Sequence, residues 1–246
     1  MKRFIMVLIL LLSFGVDFGS SKIAVDGVDF ALGYYALPQL LPQVFEEFGV
    51  EMSASNTLGV GGNFEMGFPG FYIGVMGDYL STSFDISKAF TLSVEGNEFS
   101  PQGNLNFLFY DAVAYLKVYV VPLFAGGPWI GAGAGYSNVD LSGKLYKNFT
   151  VGGQSYSVDV DFTVSRAGFP VAGMVGYDLR LGPLSLDFLV SGGYVFGNWD
   201  IKVTSDTYTE LEDQVKAKFE DILGQEPVST LKNIYMKVGL YLGFAF

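Results

Sequence analysis

The chain has 246 residues, half of them apolar, and it is rich in glycine, tyrosine and phenylalanine (32, 15 and 23 residues). This composition favours glycine-rich and aromatic-rich strands over helix bundles or dinucleotide-binding α/β folds. The formal net charge of −11 disfavours nucleic-acid binding, because phosphates need neutralisation by Lys and Arg. Zero cysteine excludes disulfides and thiolate chemistry, and zero histidine excludes any Ser-His or Cys-His catalytic pair.

The N-terminal residues have the features of a secretory signal peptide. Lys2 and Arg3 precede an apolar run over residues 4–14, and Gly19 and Ser21 supply small residues at the cleavage-recognition positions. An uncleaved membrane helix is the alternative, but the apolar run is shorter than the roughly 20 residues that cross hydrocarbon. The sequence therefore predicts two regions: a signal peptide, residues 1–21, and a single mature domain, residues 22–246.

Alternation of apolar residues with a period of two predicts eight strands in the mature domain. The tight-turn sequences Pro69-Gly70 and Gly182-Pro183 separate the second strand from the third and the sixth from the seventh. Pro170 is awkward in a paired strand, so we expect a bulge or weak pairing within the sixth strand. The predicted strands cover residues 27–37, 58–68, 71–80, 107–121, 129–137, 164–181, 184–196 and 234–246.

The first tight turn also predicts a register. If the hairpin closes around residues 69–70, Phe64 lies opposite Val75 and Glu65 lies opposite Gly74. The apolar faces of the two strands then coincide, so the register is self-consistent.

The last strand carries the clearest signal for location. From Ile234 to Phe246 every second residue is large and apolar, whereas the intervening positions mix glycine, tyrosine, lysine and asparagine. A strand that crosses a bilayer needs such a face, because its outer side meets hydrocarbon. No helix-length apolar span remains in the mature domain, so a membrane crossing here requires a closed barrel.

The predicted connections alternate in length, short after the even-numbered strands and long after the odd-numbered ones, as in outer-membrane barrels. Two of the long connections carry helical patterns, over residues 38–49 and 209–223. In these respects the chain resembles the small eight-stranded outer-membrane barrels of diderm bacteria, the OmpA/OmpW-like group. The resemblance covers residues 22–246. It implies that the barrel-assembly machinery recognises a C-terminal signal formed by Phe246, Phe244 and Leu242.

We therefore predict an all-β fold, an eight-stranded antiparallel transmembrane β-barrel with short periplasmic turns and four longer external loops, two of them with short helices. A soluble lipocalin-like calyx is the alternative, and its outer face would carry polar residues around an apolar interior. Most charges within the predicted strands lie opposite the continuous apolar stripe, which favours the membrane barrel.

The face opposite the apolar stripe places ionisable side chains in the lumen. The register around the second tight turn sets Asp178 directly opposite Asp187, where like charges repel. One resolution is a salt-bridge network in which Arg180, Lys117 or Lys237 bridges the pair, and the other is a cation site or proton-sharing pair lining a path. The predicted lumen charge network comprises Asp29, Glu65, Asp78, Asp111, Lys117, Arg166, Asp178, Arg180, Asp187 and Lys237.

For function, the sequence favours a non-enzymatic structural or loop-mediated surface role in the outer membrane. We expect no cofactor and no metal, with outer-membrane lipid and the barrel-assembly machinery as partners and with a small solute or a surface partner at the acidic loops. The alternative is a narrow, porin-like channel for small, including hydrophobic, solutes. Abundant inward glycine favours strand curvature over a pore or pocket, and catalysis by carboxylates alone remains a distant third hypothesis.

Overall fold

The computed structural model describes most of the chain from Ser20 onward. Outside the described residues lie residues 1–19 of the predicted signal peptide, the predicted first strand over residues 27–37 with Asp29, most of the helix predicted over residues 38–49, and the terminal Phe246. The described residues are 20–26, 42, 45–46, 48–68, 70–94, 96–120, 126–151, 154–181, 184–206, 208–225, 229 and 233–245.

The described residues are mostly antiparallel β structure, which confirms the all-β prediction. The helix predicted over residues 209–223 is present as α1 (Thr209–Gly224). Within the described part of the chain, no helix is long and apolar enough to cross a membrane. The strands are β1 (Ser20–Asp26), β2 (Glu51–Phe68), β3 (Phe71–Lys88), β4 (Leu92–Val94), β5 (Asn97–Phe99), β6 (Gln102–Tyr119), β7 (Gly126–Val151), β8 (Gln154–Leu181), β9 (Leu184–Ser205) and β10 (Ile234–Ala245).

The long strands form one barrel, and β4 and β5 form a separate hairpin between β3 and β6. The order around the barrel is β1-β10-β9-β8-β7-β6-β3-β2, and neighbouring strands are antiparallel. β1 brings the two ends of this meander together, because it pairs with both β2 and β10. Among the described residues, its pairing with β10 consists of three residue pairs.

The strand pairing confirms the predicted register of the first hairpin. Phe64 lies opposite Val75 and Glu65 opposite Gly74, so the side chains of both strands agree in which face they occupy. The expectation of weak pairing at Pro170 is also confirmed. β8 stays paired with β9 through residues 169–170, but its pairing with β7 skips these two residues, as suits a residue without an amide hydrogen.

Several strands run far beyond their predicted ends, and this corrects the loop assignment. The third predicted strand ends at Leu80, whereas β3 continues to Lys88. The long external loop predicted after the fifth strand is wrong, because β7 continues to Val151, which pairs with Gln154 at the start of β8. The prediction stopped where the outward apolar stripe stops, although the strands themselves continue with a different outer face.

The barrel has two parts with different walls. We call the part next to the short connections after β2, β6 and β8 the lower barrel, and the part next to α1 and the β4–β5 hairpin the upper barrel. In the lower barrel the outward side chains are apolar and exposed, and we call them the apolar band. Its members include Phe71, Ile73, Val75, Leu116, Val118, Ile130, Val171, Val175, Tyr177, Leu181, Leu184, Leu186, Phe188, Val190 and Leu242.

An aromatic belt formed by Tyr79, Tyr110, Tyr136, Phe169 and Phe196 marks the upper edge of the apolar band. All five side chains are exposed. The ring of Tyr136 lies 6.1 Å from that of Tyr110 and 6.4 Å from that of Phe169, measured between centroids. Phe169 in turn lies opposite Phe196 in the β8–β9 ladder, so the belt follows neighbouring strands around this wall.

Above the belt the polarity of the wall is reversed. In β3 the outward positions become Ser81, Ser83 and Asp85, while the inward positions Leu80 and Phe84 are fully buried. The main apolar core of the protein therefore lies inside the upper barrel. The same change to polar outward residues occurs in the neighbouring strands, at Asn104, Asn106, Asn138, Asp140, Thr163, Ser165, Asn198 and Asp200.

Candidate functional site

The structure places the described members of the predicted charge network inside the barrel. Eight of them are buried: Glu65, Asp78, Asp111, Lys117, Arg166, Asp178, Asp187 and Lys237. Arg180 is partly exposed, and Asp29 lies outside the described residues. By their contacts these residues form two clusters. They are the Lys117 cluster (Glu65, Lys117, Asp178, Arg180, Asp187) and the Lys237 cluster (Asp78, Asp111, Lys237).

Lys117 is the centre of the first cluster. Its Nζ donates a hydrogen bond to Oδ2 of Asp187 at 2.7 Å and lies 3.2 and 3.3 Å from the two carboxylate oxygens of Glu65. Oδ2 of Asp178 lies 3.8 Å away. Asp178 and Asp187 are directly opposite in the β8–β9 ladder, and Lys117 contacts both of them from β6. One cation thus offsets the repulsion between the facing carboxylates.

Aromatic side chains complete the hydrogen bonding of two carboxylates in this cluster. The hydroxyl of Tyr115 donates to Oε1 of Glu65 at 2.5 Å, and the indole Nε1 of Trp129 donates to Oδ1 of Asp187 at 2.9 Å. The Trp129 ring also lies 4.5 Å from Nζ of Lys117. Buried charges need such partners, because each unsatisfied carboxylate oxygen carries a desolvation cost.

Asp178 has a separate set of partners at the lower end of the lumen. Its carboxylate accepts hydrogen bonds from Ser185 Oγ at 2.8 Å and from the hydroxyl of Tyr119. Arg180 Nε lies 3.5 Å from the same carboxylate, and a terminal nitrogen of Arg180 donates to the hydroxyl of Tyr72 at 3.0 Å. The guanidinium and the aromatic rings form the floor of the Lys117 cluster.

Two inward glycines make room for the aromatic donors. A Cβ at Gly74 would overlap the ring of Tyr115, and a Cβ at Gly176 would overlap the ring of Trp129. Curvature or a pore were the two predicted meanings of inward glycine. These two positions instead allow large rings to lie against the barrel wall.

The Lys237 cluster lies in the same lumen, with Asp78 on β3, Asp111 on β6 and Lys237 on β10. Nζ of Lys237 forms an ion pair with Oδ2 of Asp78, and it also contacts the sulfur of Met76 at 3.7 Å. The backbone amide of Asp78 donates to Oδ1 of Asp111 at 3.0 Å, and the hydroxyl of Tyr235 donates to Oδ2 of Asp111 at 2.7 Å. Lys237 and Asp78 have no exposed side-chain surface.

Arg166 is the remaining predicted charge. It is buried on β8, and its guanidinium lies 5.4 Å from the ring centroid of Trp199. Trp199 packs against the apolar core of the upper barrel. Arg166 therefore lies where the ionic lumen gives way to the apolar one.

Helix α1 packs against the apolar core of the upper barrel through one face. The apolar face predicted for this helix, with Leu211, Val215, Phe219 and Ile222, is buried in the core. The ring of Phe219 lies 4.8 Å from that of Phe162 on β8 and 6.0 Å from that of Phe90 near the β4–β5 hairpin.

Hydrogen bonds hold α1 to the β4–β5 hairpin and to the end of β9. The side-chain amide of Gln214 accepts from the backbone amide of Ser93 at 2.9 Å and donates to the carbonyl of the same residue at 2.7 Å. The backbone amide of Ser205, at the end of β9, donates to Oε1 of Glu212 at 2.8 Å. The helix is thus joined to the β4–β5 hairpin and to the barrel wall.

Sequence reasoning missed the aromatic donors. Tyr115 and Tyr119 lie on the inward face of β6 with Lys117, and Trp129 lies on the inward face of the neighbouring β7. Their position in the alternation could have identified them. Among the described residues, no three acidic side chains form a group that could hold a metal ion. Of the predicted assembly signal, Leu242 is exposed on the outer wall, the backbone of Phe244 pairs with β1, and Phe246 lies outside the described residues.

Comparisons with known proteins add one distant likeness. No protein-family model and no curated protein matches the chain. The crystal structure of Acinetobacter baumannii CarO is similar over 79% of this chain and 96% of that chain, with 14% identity and a TM-score of 0.42.

Proposed function

We propose that this protein is an outer-membrane β-barrel with eight transmembrane strands, a sealed lumen and a non-enzymatic structural or surface role. The reversal of wall polarity at the aromatic belt is the observation that carries the proposal. Below the belt the outer wall is apolar and suits hydrocarbon, and above the belt it is polar and suits water. Rings of aromatic residues at this boundary are typical of membrane barrels.

The height of the apolar band supports a single crossing of the bilayer by each strand. The stretches from Phe71 to Tyr79 in β3 and from Tyr110 to Tyr119 in β6 match the roughly 9–11 residues with which a tilted strand spans hydrocarbon. Backbone pairing around the barrel satisfies the amides and carbonyls that hydrocarbon would leave without partners.

The burial of the lumen charges supports a sealed barrel. The side chains of Lys117 and Lys237 have no exposed surface, and neither do those of Asp78 and Asp178. If the lumen around these residues were a water-filled channel, their charged side chains would be exposed to solvent. The apolar core, which includes the buried face of α1, occupies the lumen above them.

The location and partners follow from the proposed orientation. A signal peptide over residues 1–21 would direct export, and the C-terminal residues Leu242, Phe244 and Phe246 would be read by the barrel-assembly machinery. Outer-membrane lipid would surround the apolar band. The upper barrel and α1 would then stand outside the cell, where they offer an acidic, polar surface to a partner.

Conductance of the purified protein in planar bilayers tests the sealed lumen. We expect no stable open current. A stable current that the substitution Asp178→Asn changes would refute the structural role and favour the alternative, a narrow channel for small solutes. Gel mobility before and after heating tests the barrel independently, because an intact barrel migrates differently before heating.

A further inference from the structure

We propose that Lys117 and Asp187 form an intramolecular amide, an isopeptide bond, once the barrel has folded. The bond joins Nζ of Lys117 on β6 to Cγ of Asp187 on β9 and crosses the lumen, because β7 and β8 lie between these strands in the wall. The inference stands on the geometry of the Lys117 cluster and holds whether or not the lumen is sealed.

The reacting groups are in contact and shielded from water. Nζ of Lys117 lies 2.7 Å from Oδ2 of Asp187, and the two side chains are 0% and 1% exposed. A contact of this length places Nζ about 3–4 Å from Cγ, close to the separation of a near-attack conformer. Transfer of one proton from Nζ to Oδ2 along this hydrogen bond gives an amine and a carboxylic acid, which are the reactive forms.

Trp129 and Glu65 supply the two further groups that amide formation requires. The indole of Trp129 donates to Oδ1 of Asp187 at 2.9 Å, the distance of an oxyanion-hole donor, and Oδ1 is the oxygen on which negative charge develops. The carboxylate of Glu65 lies 3.2 Å from Nζ and can accept a proton from the attacking amine. The hydroxyl of Tyr115 holds Glu65 in place.

The step balances without an added reactant. Nζ of Lys117 attacks Cγ of Asp187 and gives up a proton to Glu65, which leaves a tetrahedral oxyanion at Oδ1. Glu65 then returns the proton to the departing Oδ2 hydroxyl, the bond from Cγ to Oδ2 breaks, and one water molecule leaves. The carbonyl re-forms at Oδ1, and Glu65 ends in its starting state.

The Lys237 cluster provides an internal control. Lys237 and Asp78 are equally buried and in contact, yet Oδ1 of Asp78, the oxygen that does not face Lys237, accepts no hydrogen bond in the described part of the chain. Without a donor on the carbonyl oxygen the tetrahedral oxyanion is not stabilised. The reaction is therefore assigned to Lys117 and not to Lys237.

Intact-mass measurement of the full folded protein, with its N-terminus determined, tests the proposal. We expect the wild type to be lighter than its sequence mass by one water molecule, and Lys117→Arg, whose guanidinium does not form the bond, to have its full mass. Peptide mapping should find one branched peptide joining positions 117 and 187. Asp187→Asn should give the same product as the wild type through loss of ammonia.

The outcomes that overturn the proposal are equally clear. A wild type at full mass, with positions 117 and 187 in separate linear peptides, overturns it, and so does a loss of water that maps to Lys237 and Asp78. Glu65→Gln should stay at full mass while retaining the heat-dependent gel mobility of a folded barrel. An amide that still forms in this variant would overturn the role of Glu65.

Discussion

Substitution of Lys237 by methionine should destabilise the barrel far more than loss of an exposed lysine. Methionine has a similar length and can pack against Met76, so the change removes mainly the charge. Asp78 is then left with no cation, and its carboxylate oxygens accept no other hydrogen bond among the described residues. Removing one partner of a buried ion pair costs about 3–5 kcal/mol, because the other charge remains buried and uncompensated.

The assay is urea unfolding of the protein in lipid vesicles, followed by tryptophan fluorescence. The two tryptophans report on different parts of the barrel, because Trp129 lies in the Lys117 cluster and Trp199 in the upper barrel. Lys202→Met is the matched control: its ion pair with Asp200 is 3.1 Å long, but both side chains are largely exposed. We expect this control to lose about 0–1 kcal/mol.

A double variant separates the charge from the packing. Replacing a buried ion pair by apolar side chains of similar size is often neutral, so Lys237→Met combined with Asp78→Leu should recover most of the stability lost in the single variant. The reasoning is refuted if Lys237→Met costs no more than Lys202→Met. It is also refuted if the double variant is less stable than the single one.

Three further substitutions test the walls and the core. Val175→Arg in the apolar band should cost about 2–4 kcal/mol in vesicles, whereas Ser165→Arg, on the outer face of the same strand above the belt, should cost about 0–1 kcal/mol, and equal costs would contradict the proposed membrane boundary. Phe219→Ala should cost about 3–5 kcal/mol, seen first by the tryptophan of the upper barrel, and an unchanged transition would contradict packing of α1 in the core. Gly74→Ala should cost about 1–3 kcal/mol by displacing the ring of Tyr115, whose atoms are the nearest to an added Cβ, while Gly192→Ala, with open space around it, should be close to neutral; similar values would show that no ring needs the room.

The lower barrel could be predicted from the sequence because the outward side chains of its strands are apolar along its whole height. Apolar alternation in residues 71–80 and 184–196 corresponds to the apolar band, and the tight turns set registers that the strand pairing reproduces. The upper barrel was assigned to loops for a physical reason. Beyond Tyr79 the outward positions turn polar, so the pattern used to follow the strand disappears although the strand continues.

The composition of the site was predictable only in part. Alternation alone places Asp178 opposite Asp187, because the register follows from the turn. It does not reveal which cation reaches both, since Lys117 approaches from β6 across the lumen and the distance depends on the closure of the barrel. The role of Gly74 was not predicted either, because the ring of Tyr115 that it accommodates belongs to the neighbouring strand.

The sequence offered a membrane barrel and a soluble calyx as alternatives for the whole chain. The lower barrel has the apolar outer wall of the first, and the upper barrel has the polar outer wall and apolar interior of the second. The inward positions of β3 keep the same parity from Tyr72 to Ile86, and only the chemistry of the two faces is exchanged near Leu80. A slip of β3 by one residue would therefore carry two penalties. Asp78 would turn toward the apolar band, and Phe84 would turn toward the polar outer wall. Both the lower and the upper part of β3 therefore disfavour a one-residue slip. The change of inward side chains from polar to apolar along β3 thus strengthens the register on which both ionic clusters depend.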